Sequence, residues 1–258
     1  MKLALIQLDI VFGNPEKNKQ NAQTLIEHAI KQSPDTVILP ELWTTGYDLT
    51  RLNAIADPNA ADIRAFAGDL AKKYQINIIA GSVAKQKGDK VTNTMTVFNR
   101  KGECIKEYSK VHLFRLMREE RYMEAGEADG LFSIDDVSAA GFICYDIRFP
   151  EWLRRHVLQG AKLLFIPAEW PAPRLDHWRT LLTCRAIENQ AFVIACNRAG
   201  SDPENQFAGH SLVISPWGEI LAEAGDKEEI LFADIDIASI DAIRNRIPVF
   251  EDRRPELY

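Results

Sequence analysis

The chain opens on an apolar run from Leu3 to Ile10, interrupted only by Gln7 and Asp9, which has the length of a strand. Asn14-Pro15 follows, a side chain that caps helices beside a residue that needs no N–H in the first turn. Ala22, Leu25, Ile26, Ala29 and Ile30 then recur at the spacing of one helical face. A short apolar strand, 36–39, ends at Pro40-Glu41. Asp57-Pro58 is read as opening a second helix whose buried face carries Ile63, Phe66, Ala67, Leu70, Ala71 and Tyr74. Strand 76–84 comes next. Gly88-Asp89 then joins strand 79–85 to strand 90–98, and Lys101-Gly102 joins that to 104–108; both have hairpin-turn chemistry. Further on, strand 137–145 leads to a helix at 150–159, and strand 162–167 to a helix near 175–189, followed by strand 191–197. A third hairpin is expected at Pro216-Trp217-Gly218, between 211–215 and 219–224. Helices interleaved with a sheet that also contains hairpins predict an α/β fold with mixed sheets.

The chain has 258 residues, and at roughly 150 residues per domain that allows one or two. No linker, repeat or low-complexity segment divides it, so residues 1–258 read as a single domain, with a polar, Pro-interrupted C-terminal extension from about 247 that is free to reach a partner subunit. Apolar residues make up 46% and charged residues 26%, which excludes intrinsic disorder. With 31 basic against 37 acidic residues the net charge is −6, which argues against nucleic-acid phosphates or an anionic membrane surface as partners, since those need a clustered positive face. No apolar run approaches the ~20 residues of a membrane span. The opening strand carries polar residues inside its apolar stretch and so fails as a signal peptide. Four cysteines, 104, 144, 184 and 196, are too sparse for a disulfide scaffold, which points to free thiols in a cytoplasmic protein.

Three polar residues follow short apolar strands: Glu41, Lys110 and Cys144. Groups at strand ends of α/β sheets collect where ligands bind. A thiol with its ordinary pKa of about 8.5 is a weak nucleophile at neutral pH, and a nearby ammonium and carboxylate together would activate it. Each residue also has a plainer reading, Cys144 as a small buried hydrophobe and Glu41 and Lys110 as surface charges. Cys184 and Cys196 read as packing residues; Cys104 begins a hairpin strand. The five histidines show no metal-ligand spacing, and a Cys–His pair through His112 or His210 is the remaining alternative.

The segments LPELW around Glu41, YSKVHLF around Lys110 and GFICYDIRFPEW around Cys144 resemble the three signature blocks of the nitrilase, or carbon–nitrogen hydrolase, superfamily, in its order and spacing. The likeness continues through FIPAEWP, CRAIENQAFVIACNRAG and GHSLVISPWGE to the RRPELY tail. KVHLFRLM and CYDIRFPEW are most similar to the omega-amidase branch. The resemblance implies an αββα four-layer sandwich, no metal or organic cofactor, and a homodimer or higher homo-oligomer. Its substrate is a small-molecule amide. It implies Glu41 as base, Lys110 as oxyanion stabiliser and Cys144 as nucleophile, supported by the Tyr145 N–H and by Glu119, nine residues after the lysine. It places Arg148 as a clamp for a substrate carboxylate, Arg115 as a second candidate, and Tyr47, Phe114 and Trp170 as pocket walls. Arg148 has a structural alternative, pairing with Asp146 or Glu151. Sibling chemistries remain open at this level: carbamoyl-amine hydrolysis, nitrile hydrolysis, or cleavage of a deaminated peptide; so does a non-catalytic scaffold. One departure stands out. Glu169 occupies a block where many members carry Asn or Ser, and an acid facing inward there would disfavour an anionic substrate.

Overall fold

A computed structural model describes residues 1–257. In chain order the first half supplies β1 (Lys2–Gln7), α1 (Pro15–Ala29), β2 (Thr36–Ile38), α2 (Leu52–Ile55), β3 (Asp57–Pro58), α3 (Ala61–Tyr74), β4 (Asn77–Lys87), β5 (Lys90–Phe98) and β6 (Cys104–Ser109). The second half supplies β7 (Leu131–Ile134), β8 (Val137–Gly141), α4 (Pro150–Leu158), β9 (Leu163–Ala168), α5 (Leu175–Asn189), β10 (Phe192–Asn197), β11 (Leu212–Ile214) and β12 (Ile220–Glu223). The chain then returns through β13 (Glu229–Asp234) to α6 (Ser239–Arg246). One sheet runs β13-β1-β2-β4-β5-β6 with β3 beside β4; the other runs β12-β11-β10-β9-β8-β7. Both mix parallel and antiparallel pairs.

Side-chain alternation along the strands sorts the core into layers. Leu3, Leu5, Ile38 and Ile79 join the cluster that contains the second sheet, while Ala4, Ile6, Val37, Leu39, Ile78 and Ala80 join the cluster with Ala22 and Ile26 of α1 and Ala67 and Leu70 of α3. The first sheet is therefore buried on both faces, by helices outside and by the second sheet inside. Leu153 of α4 with Trp178 and Leu182 of α5 cover the second sheet. The result is the αββα sandwich. Among the described residues no helix is long and apolar enough to cross a membrane.

Several local expectations hold in detail. The Asn14 side chain accepts the Lys17 N–H at 3.1 Å, with Pro15 in the first turn of α1. All three expected hairpins form, joining β4 to β5, β5 to β6 and β11 to β12. Others shift. Asp57-Pro58 does not open a helix but pairs with β4 as β3, because Asn59 and Ala60 turn into the left-handed region at φ 53° and 58°. The Asp57 carboxylate still accepts the N–H groups of Asp62 and Ile63, so it caps α3 from outside. The strand expected over 137–145 ends at Gly141, short of the thiol. Cys184 was expected to pack, but it is exposed, as is Cys104; the buried stripe of α5 runs through Trp178, Leu182, Arg185 and Ala186 and misses position 184. The tail folds back on its own chain: Gln190 donates to the Ile247 carbonyl at 2.8 Å, and Phe250 lies under Arg154 and Arg244.

Candidate active site

Three loops at strand ends build the site. Beyond β2, Leu39-Pro40 carries the chain to Glu41, and Leu42 takes φ 40°. Ser82 holds this turn from both sides, its N–H on the Pro40 carbonyl at 3.1 Å and its Oγ accepting the Leu42 N–H at 2.9 Å. Gly81 makes the approach possible: a Cβ there would sit 2.0 Å from the Pro40 carbonyl oxygen, and its φ is +57°. Beyond β6, Lys110 is tied to β5 by its N–H on the Asn93 carbonyl at 2.8 Å. Beyond β8, Cys144 itself adopts φ 45° and begins a short 3₁₀ turn, Cys144–Arg148. Such a conformation costs a non-glycine residue about 1–3 kcal/mol and persists only where its surroundings impose it. Asp146 imposes it here. Its carboxylate accepts from the Tyr108 hydroxyl at 2.7 Å, the Ile143 N–H at 2.9 Å and the His112 N–H at 3.1 Å, and it bonds the His112 ring at 2.7 Å. The His112 ring bonds Asp146 and the His210 ring bonds Glu223, and among the described residues neither is hydrogen-bonded to a cysteine.

Glu41, Lys110, Glu119 and Cys144 converge in a buried cluster. The Lys110 ammonium donates to Glu41 Oε1 at 2.8 Å, to Glu119 Oε2 at 2.8 Å and to the Tyr47 hydroxyl at 3.3 Å, which uses all three of its protons. Tyr47 donates in turn to Glu41 Oε1 at 2.9 Å. Asn93 Nδ2 bridges the two carboxylates, at 2.8 Å to Glu41 and 2.9 Å to Glu119, while Glu119 Oε2 also accepts the Phe114 N–H at 2.7 Å. The remaining Glu41 oxygen accepts the Glu169 N–H at 2.9 Å.

These contacts push the two carboxyls apart. Burial raises both, but Lys110 and the donors around Glu41 hold it below its ordinary value. Glu119 ends above its own, because burial and the charge of Glu41 outweigh Lys110. Burial works against the charge of Lys110, yet Glu119 and Glu41 keep it an ammonium. The Cys144 thiol is held well above its ordinary value by burial and by the facing Glu41 carboxylate, with Lys110 opposing. The arrangement is therefore a protonated thiol beside an ionised base, not a preformed thiolate.

A narrow cavity over Cys144 is lined by Phe114, Tyr145, Arg148, Glu169, Trp170 and Arg174, and a larger cleft of ≈ 450 Å³ adjoins it at Pro171 and Arg174. Phe114 and Trp170 form walls; Tyr47 belongs to the hydrogen-bond network and lines the larger cleft. The N–H groups of Cys144 and Tyr145 precede the first bond of the 3₁₀ turn, made by Asp146 N–H to the Ile143 carbonyl. Arg148 pairs with neither Asp146 nor Glu151. It bonds His177 at 3.2 Å and lies over the Trp170 ring at 5.0 Å. Arg115 is exposed and lines an adjoining groove that shares Phe114 and Tyr145 with this cavity, not the cavity itself. Glu169 does line the cavity, but it is paired at 2.9 Å with the fully buried Arg198. Burial still pushes its carboxyl up to about 8, so the acid adds little negative charge there at neutral pH. Asn93, Asp146, Arg174 and Arg198 were not anticipated from sequence; the one available signal was a polar Asn in the middle of a buried strand. Among the described residues no group of three or more His, Cys, Asp or Glu could hold a metal ion.

A thiol on a strained strand-end turn, facing a carboxylate and an ammonium, is an arrangement suited to acyl transfer. The chain belongs to the carbon-nitrogen hydrolase family, whose model matches residues 2–245. It is 52% identical over 256 residues to the 2-oxoglutaramate amidase of Bacillus subtilis (strain 168), covering 99% of this chain and 98% of that one. It is 33% identical over 270 residues to omega-amidase NIT2 of Homo sapiens, covering 100% and 96%. Nit3 of Saccharomyces cerevisiae, a solved member of branch 10 of the nitrilase superfamily, superposes with a TM-score of 0.90 at 31% identity, covering 96% of this chain and 94% of that one.

Proposed function

We propose that this chain is a thiol-dependent amidase that hydrolyses the terminal amide of a small carboxylated substrate, a 2-oxo acid amide such as 2-oxoglutaramate, to acid and ammonia. The observation that carries this reading is the burial of Cys144, Glu41 and Lys110 in one cluster at a strained turn. The similarity to a 2-oxoglutaramate amidase supports the substrate class. Glu41 takes the thiol proton as Sγ bonds to the amide carbon. The oxyanion that forms is met by the Tyr145 N–H and by Lys110, whose bond to Tyr47 is the longest of its three and the one an oxyanion can displace. Preorganised donors of this kind are worth about 3–4 kcal/mol each. The C–N bond then breaks, Glu41 returns the proton to nitrogen, and ammonia leaves a thioester on Cys144. Water attacks the thioester with Glu41 again accepting a proton, which releases the acid and restores the thiol. Glu119 holds Lys110 in place, and Arg148 receives the distal carboxylate.

The 258 residues are proposed to form one hydrolase domain with an extension from about residue 247. The protein is also proposed to act in the cytoplasm as a homodimer or larger homo-oligomer. Four free thiols support the first point of location, and the exposed Ile187 and Trp217, near each other at α5 and the β11–β12 turn, support the second. Ammonia release measured over omega-amides, nitriles and carbamoyl amines tests the function. Carboxylated omega-amides should be the preferred class, and faster turnover of nitriles or carbamoyl amines would overturn it.

A further inference from the structure

Arg174 stands where the two cavities meet, lining both the narrow one over Cys144 and the larger cleft. Its guanidinium is half-buried and, like that of Arg148, has no carboxylate within salt-bridge distance among the described residues. In a chain whose acids outnumber its bases, two such arginines beside one thiol are a positive focus without an internal carboxylate. Both are held over aromatic rings, Arg174 over Phe114 at 5.5 Å and Arg148 over Trp170 at 5.0 Å. Stacking of this kind leaves the N–H edges of a guanidinium open to hydrogen bonds, of which Arg148 makes one to the His177 ring at 3.2 Å. The two arms are also interlocked: the Trp170 indole under Arg148 donates to the Arg174 backbone carbonyl at 2.7 Å. Asp202, Glu204 and Arg118 also line the larger cleft, whereas the Asp48 carboxylate there is buried and paired with Arg51.

We propose that Arg174 and Arg148 are the two arms of one carboxylate-binding site, with Arg174 the specificity-determining arm on the side of the larger cleft. The substrates it selects are short amides whose other end is a carboxylate. This inference rests on the amidase reading above. One guanidinium fork takes both carboxylate oxygens from one side, and a second can donate to their remaining lone pairs from another.

The test is kcat/KM for 2-oxoglutaramate and for an uncharged amide of the same length, measured in the wild-type protein, Arg174→Ala, Arg174→Lys, Arg148→Ala and the double alanine variant. The ratio of charged to uncharged turnover should fall by tenfold or more in Arg174→Ala and recover only partly in Arg174→Lys. The double variant should fall by less than the product of the two single losses, because both arms hold one group. A parallel loss on both amides, or an unchanged ratio, would overturn the assignment of Arg174 while leaving the amidase reading intact. Absence of wild-type ammonia release from carboxylated amides would instead remove that reading, and this inference with it.

Discussion

Lys110 is where residue-level energetics are most exposed to experiment. It is fully buried, and two buried carboxylates depend on it. Lys110→Met should destabilise the protein by about 3–5 kcal/mol in a denaturant titration, the usual consequence of leaving buried charges unpaired; a loss below 1 kcal/mol would mean that Glu41 and Glu119 find other partners. Cys144 gives a second prediction. Because burial and Glu41 hold its thiol up, the ultraviolet thiolate band assigned by comparison with Cys144→Ala should show no titration between pH 5 and 8. An inflection near pH 6 would indicate a preformed thiolate pair instead. That Glu41, Lys110 and Cys144 come together was legible in the sequence, because each follows a strand in a recognisable block. Asn93 and Arg198 were not, because their significance lies in contacts across the fold: Asn93 reaches Glu41 from 52 residues away and Arg198 meets Glu169 from 29.

At the level of elements, the turns rather than the strands carry the site. Strand and helix periodicity placed most of the sandwich, yet the strand before Cys144 was drawn too long. Ile143 and Phe142 are as apolar as the strand they follow, and only Asp146, reaching back to the Ile143 N–H, turns the chain. Asp146→Ala should therefore strip several buried donors of their acceptor, cost about 1–3 kcal/mol of stability and lower kcat. Circular-dichroism melts and steady-state kinetics check the two effects together, and full activity in that variant would contradict the role given to this turn. Gly81→Ala tests the opposite wall. A methyl group cannot fit against the Pro40 carbonyl, so both stability and kcat should fall, although residue 81 contacts no reacting atom. The same holds at Asp57: its cap chemistry is visible in the sequence, but the left-handed pair that separates cap from helix is not.

Across the whole molecule, pH dependence reflects how the buried charges balance. Glu169 has a folded-state pKa of about 8, above the ordinary 4.5, so the stability it contributes is fully present below about 4.5 and is lost as pH rises through 8. Glu41 works in the other direction. Its depressed pKa adds stability above its ordinary value that disappears as pH falls through the folded one. Glu169→Gln should accordingly flatten the decline in unfolding free energy between pH 5 and 8, and an unaltered slope would show that Arg198 keeps Glu169 ionised throughout. The pairing of two sheets was legible through the family resemblance alone, since alternation along a strand shows that a face is buried but not what covers it. The account as a whole turns on a covalent bond between Cys144 and the acyl group. Its most direct test is mass spectrometry of the protein acid-quenched during turnover of 2-oxoglutaramate. The account predicts an acyl adduct, lost on treatment with hydroxylamine, on the peptide that contains Cys144; steady ammonia release with that peptide unmodified, and undiminished release by Cys144→Ala, would contradict it.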